Sequence, residues 1–235
     1  IDTNGNHELG GRMNCFLTYG VARGEPWMFQ FGQDKMTGYA ETGGDHFVKL
    51  CPLWQLMLYY RLSDGAPWQK PAQIVRETDD ADFTNGQHQL NFMRNTMDVL
   101  GQNLTDFFIT AGMLKPIDKT FDDYGTGTIT ITEEDVEELV KYAEKYPKPA
   151  SPVIYYISSQ SLPAYVKQLP VEGTFGTGIT DNGNDTFTIS HNIWKNVAVF
   201  ETYRGETLDR VAMVGTDSPD RSTTLVRYPA GSTRI

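Results

Sequence analysis

The sequence predicts an α+β chain, mostly helical in its first part and closing in a small antiparallel β-sandwich. Apolar residues recur at helical spacing in several stretches before residue 145. Short β-like runs separated by turn sequences follow residue 158. The charge changes at the same place, with 13 basic and 22 acidic side chains over residues 1–157 against 7 and 8 over 158–235. The expected division is a helical part at 1–157, a connector at 158–170 and an Ig- or fibronectin-like sandwich at 171–235.

Residues 7–21 predict a helix whose buried face carries Met13, Phe16, Leu17 and Val21, with Gly10 and Gly11 weakening its start. The Gly-rich stretch from Gly24 to Gly44, containing PWMFQF, predicts a long loop or lid, and loops of that length in compact domains are commonly functional. DHFVKLCPLWQLMLYYRL then repeats Phe47, Leu50, Leu53, Trp54, Met57 and Leu58 at helical spacing, the pattern of a central buried helix with Pro52 in its first turn. Helices are also predicted over 86–101 and 104–113, each near a glycine suited to a C-terminal cap. After the β-like run TITIT at 128–132, Thr132 and Asp135 have the spacing of a capping box. That helix buries Val136, Leu139, Val140 and Ala143, and Pro147 stops it. The predicted strands are 186–190, 197–203, 210–215 and 223–228, punctuated by DNGND, RGET and DSPDR.

The bulk numbers exclude several classes. A net charge of −10 argues against a nucleic-acid partner, since phosphate binding needs clustered Lys and Arg. No run approaches the roughly 18 apolar residues of a membrane span. The opening Ile1, with no leader after it, is expected of a piece of a longer protein. Cys15 and Cys51 are too few for a disulfide framework, and their apolar neighbours favour buried thiols over a single bridge.

Five segments then stand out in order: FVKLCPLWQLMLYY (47–60), GQHQLNFMRNTMDVLGQNLTDFFITAGML (86–114), FDDYG (121–125), TITEEDVEEL (130–139) and PVIYYIS (152–158). Together they resemble the M60-type, enhancin-like zinc metallopeptidases of gut Bacteroides, which act on mucin-type, O-glycosylated proteins. Residues 171–235 resemble, more weakly, the sandwich that often follows the peptidase domain. The resemblance implies a gluzincin-like fold for the helical part, zinc in an intact parent, host glycoproteins or glycans as partners, and a location outside the cytoplasm.

The family's zinc is held by H-E-x-x-H and a downstream glutamate, N-terminal to the W-Q-L helix. NHELGG at 6–11 supplies His7 and Glu8, but Gly11 stands where the second histidine belongs. Two placements are open. In one, His7 is a ligand and Glu8 the general base of a motif that has lost its second histidine. In the other, the motif precedes Ile1 and Glu8 is the third ligand. The roughly 45 residues between Glu8 and Trp54 favour the second, although Asn14 lies farther from Glu8 than the family's E-x-x-x-N would put it. A catalytic zinc needs three protein ligands and an open place for water. His7, His46, His88 and His191 include no i, i+4 pair, so residues 1–235 alone are expected to hold no zinc firmly and to be inactive.

Each remaining candidate has a plainer reading. Glu8 answers a helix dipole as readily as a metal. His46, His88 and His191 are expected to be hydrogen-bonded structural residues. Tyr124 could donate to a developing oxyanion, but a ring packed on a tight turn explains it better. DNGND lacks the full Ca²⁺-loop pattern, which leaves a hairpin turn. Trp27 and Phe29 fit a substrate-facing patch and a loop anchor equally well. The rival to a peptidase is a non-catalytic glycopeptide- or glycan-binding protein on a degenerate peptidase fold. A weaker third reading is a structural module of a surface assembly.

Overall fold

The computed structural model describes residues 11–30, 46–64, 69–122, 125–150, 156–214, 222–228 and 230–235. Among them the chain is α+β, as predicted, with helices before residue 167 and small antiparallel sheets around and after them. Two compact units form: residues 1–58 with 154–235, and residues 59–153.

The first unit opens with helix α1 (Gly11–Cys15), which widens into a π-helical segment, Phe16–Ala22. Met13, Phe16 and Leu17 are fully buried, as their spacing predicts. A 3₁₀ turn, His46–Leu50, leads into α2 (Cys51–Asp64), and Pro52 sits in the first turn, where its missing N–H costs nothing. The buried face differs from the predicted one. Phe47 is 58% exposed, with the Arg12 guanidinium 5.0 Å above its ring, while Val48, Cys51, Leu56 and the polar Gln55 are wholly buried. Cys15 and Cys51 are buried thiols.

The same unit contains α7 (Leu162–Val166) inside the expected connector, and two sheets. One has the order β3 (Ile179–Asp181), β4 (Thr186–Ser190), β7 (Thr223–Arg227); the other pairs β5 (Val199–Arg204) with β6 (Thr207–Met213). DNGND links β3 to β4 as a hairpin, with the Gly183 N–H donating to Asp181 Oδ1. Both sheets feed one apolar cluster of Ile189, Val197, Phe200, Ala212, Val214 and Val226. Alternating inward residues supply it, which is why the period-2 runs of the sequence find these strands.

The second unit holds α3 (Gln69–Glu77), α4 (Asn85–Leu100), α5 (Thr105–Thr110), the hairpin β1 (Ile117–Asp122) and β2 (Thr126–Ile131), and α6 (Glu133–Ala143). Helix α4 begins in a capping box from Thr84 and Gln87 and ends at Gly101, whose φ of 63° suits only glycine well. Helix α6 begins in the predicted Thr132–Asp135 box, the hydroxyl accepting from the Asp135 N–H and the carboxylate from the Thr132 N–H. Leu139 and Ala143 are buried, whereas Val136 and Val140 are half-buried. The core is Met93, Met97, Phe107, Phe108, Met113, Ile129 and Leu139.

Candidate functional site

Two buried side-chain amides in the segments that carry the resemblance, Gln55 and Gln89, are spent on backbone. Gln55, from the W-Q-L stretch, donates through Nε2 to the Ile157 carbonyl (2.8 Å) and accepts at Oε1 from the Ile157 N–H (2.9 Å). A side chain thereby completes both hydrogen bonds of a residue 102 positions away, as a neighbouring strand would. Gln89, from Q-L-N-F, donates to the Met113 carbonyl just beyond α5. Asn85 Nδ2 donates to the Thr128 carbonyl (2.8 Å). Gly86 is required beside it, because a Cβ there would lie 1.9 Å from the Thr130 carbonyl oxygen.

The helix that follows His7 and Glu8 in the sequence does the same for strand β6. Asn14 Oδ1 accepts from the Met213 N–H (2.7 Å) and Thr18 Oγ1 from the Val211 N–H (3.2 Å). Four helical residues rise about 6 Å and two strand residues about 6.8 Å. Side chains at i and i+4 therefore meet alternate N–H groups of one strand edge. Cys15 Sγ donates to the Gln30 carbonyl (3.1 Å), and Gln30 Nε2 to the Glu25 carbonyl (2.9 Å). Trp27, in a 3₁₀ turn with Phe29, donates its indole N–H to the Lys49 carbonyl at 2.9 Å. Both rings are half-buried, so Trp27 anchors its loop while part of each ring meets solvent.

His7, Glu8 and Tyr124 lie outside the described residues, as does the side chain of His46. His88 Nδ1 is 3.1 Å from Asp80 Oδ2. His191 uses both ring nitrogens, with Thr224 Oγ1 at 2.9 Å and the Trp194 carbonyl at 3.3 Å. Among the described residues no three His, Cys, Asp or Glu side chains converge as a metal would require. The described residues do not fit a catalytic zinc.

One cleft was not anticipated from the sequence. It measures about 340 Å³ and lies in the first unit between α7 and the Asn196–Ala198 segment, with Tyr156, Tyr165 and Gln168 on its wall. Burial, and then the Glu201 carboxylate, push the Tyr156 phenol above its usual pKa. Helix α7 ends in a Schellman motif: the Leu169 N–H donates to the Ala164 carbonyl (3.0 Å) and the Gln168 N–H to the Tyr165 carbonyl (2.9 Å). Gln168 takes the left-handed position of that motif, with φ 50°. The available signal was AYVKQLP, a helix stop with glutamine where glycine is usual.

The chain has relatives of known structure. It is similar to a metallopeptidase in complex with Tn antigen, with a TM-score of 0.54 and 20% identity over 98% of this chain and 46% of that one. A metallopeptidase from Bacteroides thetaiotaomicron gives the same TM-score and identity over 95% of this chain and 38% of its own. The chain therefore spans less than half the length of either. No protein-family model matches the sequence, and no curated protein matches it. The fold is shared with these two metallopeptidases, the kind of protein that the segments between residues 47 and 158 resemble. Among the described residues no helix is long and apolar enough to cross a membrane.

Proposed function

We propose that this chain is the C-terminal portion of a secreted zinc metallopeptidase acting on O-glycosylated, mucin-type proteins. The observation that carries the reading is the shared fold over 98% of the chain with a metallopeptidase held in complex with Tn antigen. In the intact parent, zinc would polarise the scissile carbonyl and activate water. Glu8 is the proposed zinc ligand; in the other placement His7 is a ligand and Glu8 the base. Trp27, Phe29 and Tyr124 are the proposed substrate-facing residues. The proposed domain division is 1–157, a connector at 158–170 and a sandwich at 171–235, tested by whether 171–235 expressed alone unfolds cooperatively.

The test of function uses the chain together with the reading frame upstream of Ile1. Zinc content and cleavage of an O-glycosylated peptide against its unglycosylated counterpart are measured for this protein and for Glu8→Gln. If Glu8 is a ligand, the variant loses both zinc and activity. If Glu8 is the base, it keeps zinc and loses at least about 10²-fold in rate. A zinc-free parent that captures the glycopeptide intact would replace the peptidase with the binding-protein reading.

A further inference from the structure

The cleft beside α7 has two properties that a packing defect lacks. Gln168 and Asn196, two non-glycine residues in the left-handed region, both line it. Such conformations cost free energy and concentrate at ligand clamps. Asn196 has a local reason for its φ of 59°, because asparagine tolerates that region and its Nδ2 holds the Pro170 carbonyl at 2.7 Å. Gln168 is turned there by the helix stop itself, at a cost that glycine would not carry. It sits at the one position of a Schellman motif that glycine favours, and its exposed amide borders the cleft.

The second property is chemical. No Asp, Glu, Lys or Arg is among the described residues lining the cleft, in a chain whose net charge is −10. The lining residues include the aromatic Tyr156 and Tyr165, the amide-bearing Gln168 and Asn196, and the apolar Leu169 and Ala198. Phenols carry an apolar face and a polar tip, and side-chain amides both donate and accept. Such a lining fits a neutral ligand with an apolar face and several hydroxyls. The volume is at the small end of ligand pockets.

We propose that this cleft is a subsite for one neutral sugar residue, with Gln168 held in a costly backbone conformation to present its amide to the ligand. The choice of a sugar rests on the glycoprotein reading above; the existence of the site rests on the cleft itself.

The test titrates the ¹⁵N-labelled chain with the methyl glycosides of galactose and N-acetylgalactosamine, and separately with an N-acetylated dipeptide amide. Saturable amide shifts confined to residues 164–169 and 196–198 are expected with a glycoside. Gln168→Gly is expected to weaken that binding roughly 3–10-fold, the loss of one neutral hydrogen bond, while raising Tm by about 2–4 °C as the strained position is relieved. Asp185→Gly relieves a left-handed residue elsewhere (φ 60°) and is expected to raise Tm without changing binding. Absence of shifts with both glycosides overturns the proposal. So does tighter binding of the dipeptide amide at the same residues, or unchanged affinity in Gln168→Gly. Glycoside binding without peptidase activity in the extended protein would sink the peptidase reading alone, and the converse result the cleft alone.

Discussion

Gln55 shows what a single side chain does in this fold. It is wholly buried, and its amide replaces the strand partner that Ile157 lacks. Replacing Gln55 by Leu keeps the size and removes both hydrogen bonds, leaving a buried N–H and C=O unpaired. The expected cost is about 2–4 kcal/mol, read as a lower urea midpoint with an unchanged m-value. Nothing local in the sequence shows this, because an isolated Gln on an apolar helix reads as its solvent face and its partner is 102 residues away. Asp98 is a different case. Burial alone would raise its carboxyl, but hydrogen bonds from the Tyr146 (2.7 Å) and Tyr142 (2.8 Å) hydroxyls, with Lys145 nearby, outweigh that and hold it below its usual value. A depressed carboxylate adds stability above the unfolded pKa of roughly 4, lost as pH falls through the folded value. Asp98→Asn is therefore expected to lower Tm at pH 7, by a margin that shrinks as pH falls below the unfolded carboxylate range. A Tm difference constant from pH 7 to pH 2 would remove the carboxylate's charge from the explanation.

At the scale of elements, the legible parts were those whose signals are local. The Thr132–Asp135 box, the Gly101 cap and the strand at 186–190 each depend on residues within a few positions of one another, and each appears as predicted. The elements that escaped lack such signals. Strand β1 reads IDKTFD and is mostly exposed, held by its ladder to β2 and by pairs such as Thr130 with Asp118. Helix α7 is five residues long, carries Pro163 in its first turn and is followed by Pro170. The π-helical register of Phe16–Ala22 has no sequence signal that we can name. Gly86 joins two elements, since β2 passes so close to α4 that a methyl group would overlap the Thr130 carbonyl. Gly86→Ala should destabilise by about 1–3 kcal/mol despite better helix propensity. A neutral or stabilising result in thermal unfolding would mean that the hairpin can move aside.

For the whole molecule, the motifs between residues 47 and 158 pointed to the fold, and they contain two of its long-range ties: Gln55 to Ile157 and Gln89 to Met113. The proposed metal site was far less legible. His7 and Glu8 alone cannot complete a zinc site, and ligand counting on this sequence ends there. Asn14 and Thr18 join the start of the chain to strand β6, 199 and 193 positions later. Asn14→Ala should speed hydrogen exchange at the Met213 amide by roughly 10-fold or more, the loss of one hydrogen bond to a buried N–H. Exchange at the Val226 amide, on β7, serves as the internal comparison. Equal acceleration at both would indicate general loosening rather than a local tie.

That tie also sets a clock for synthesis. Polypeptide emerges from the ribosome at about 5–20 residues per second, so the segment around Asn14 waits on the order of 10–40 s before residue 213 has been made. During that interval Met13, Phe16 and Leu17 have no strand to settle against. Slow or interrupted translation would leave this apolar stretch without that partner for longer still.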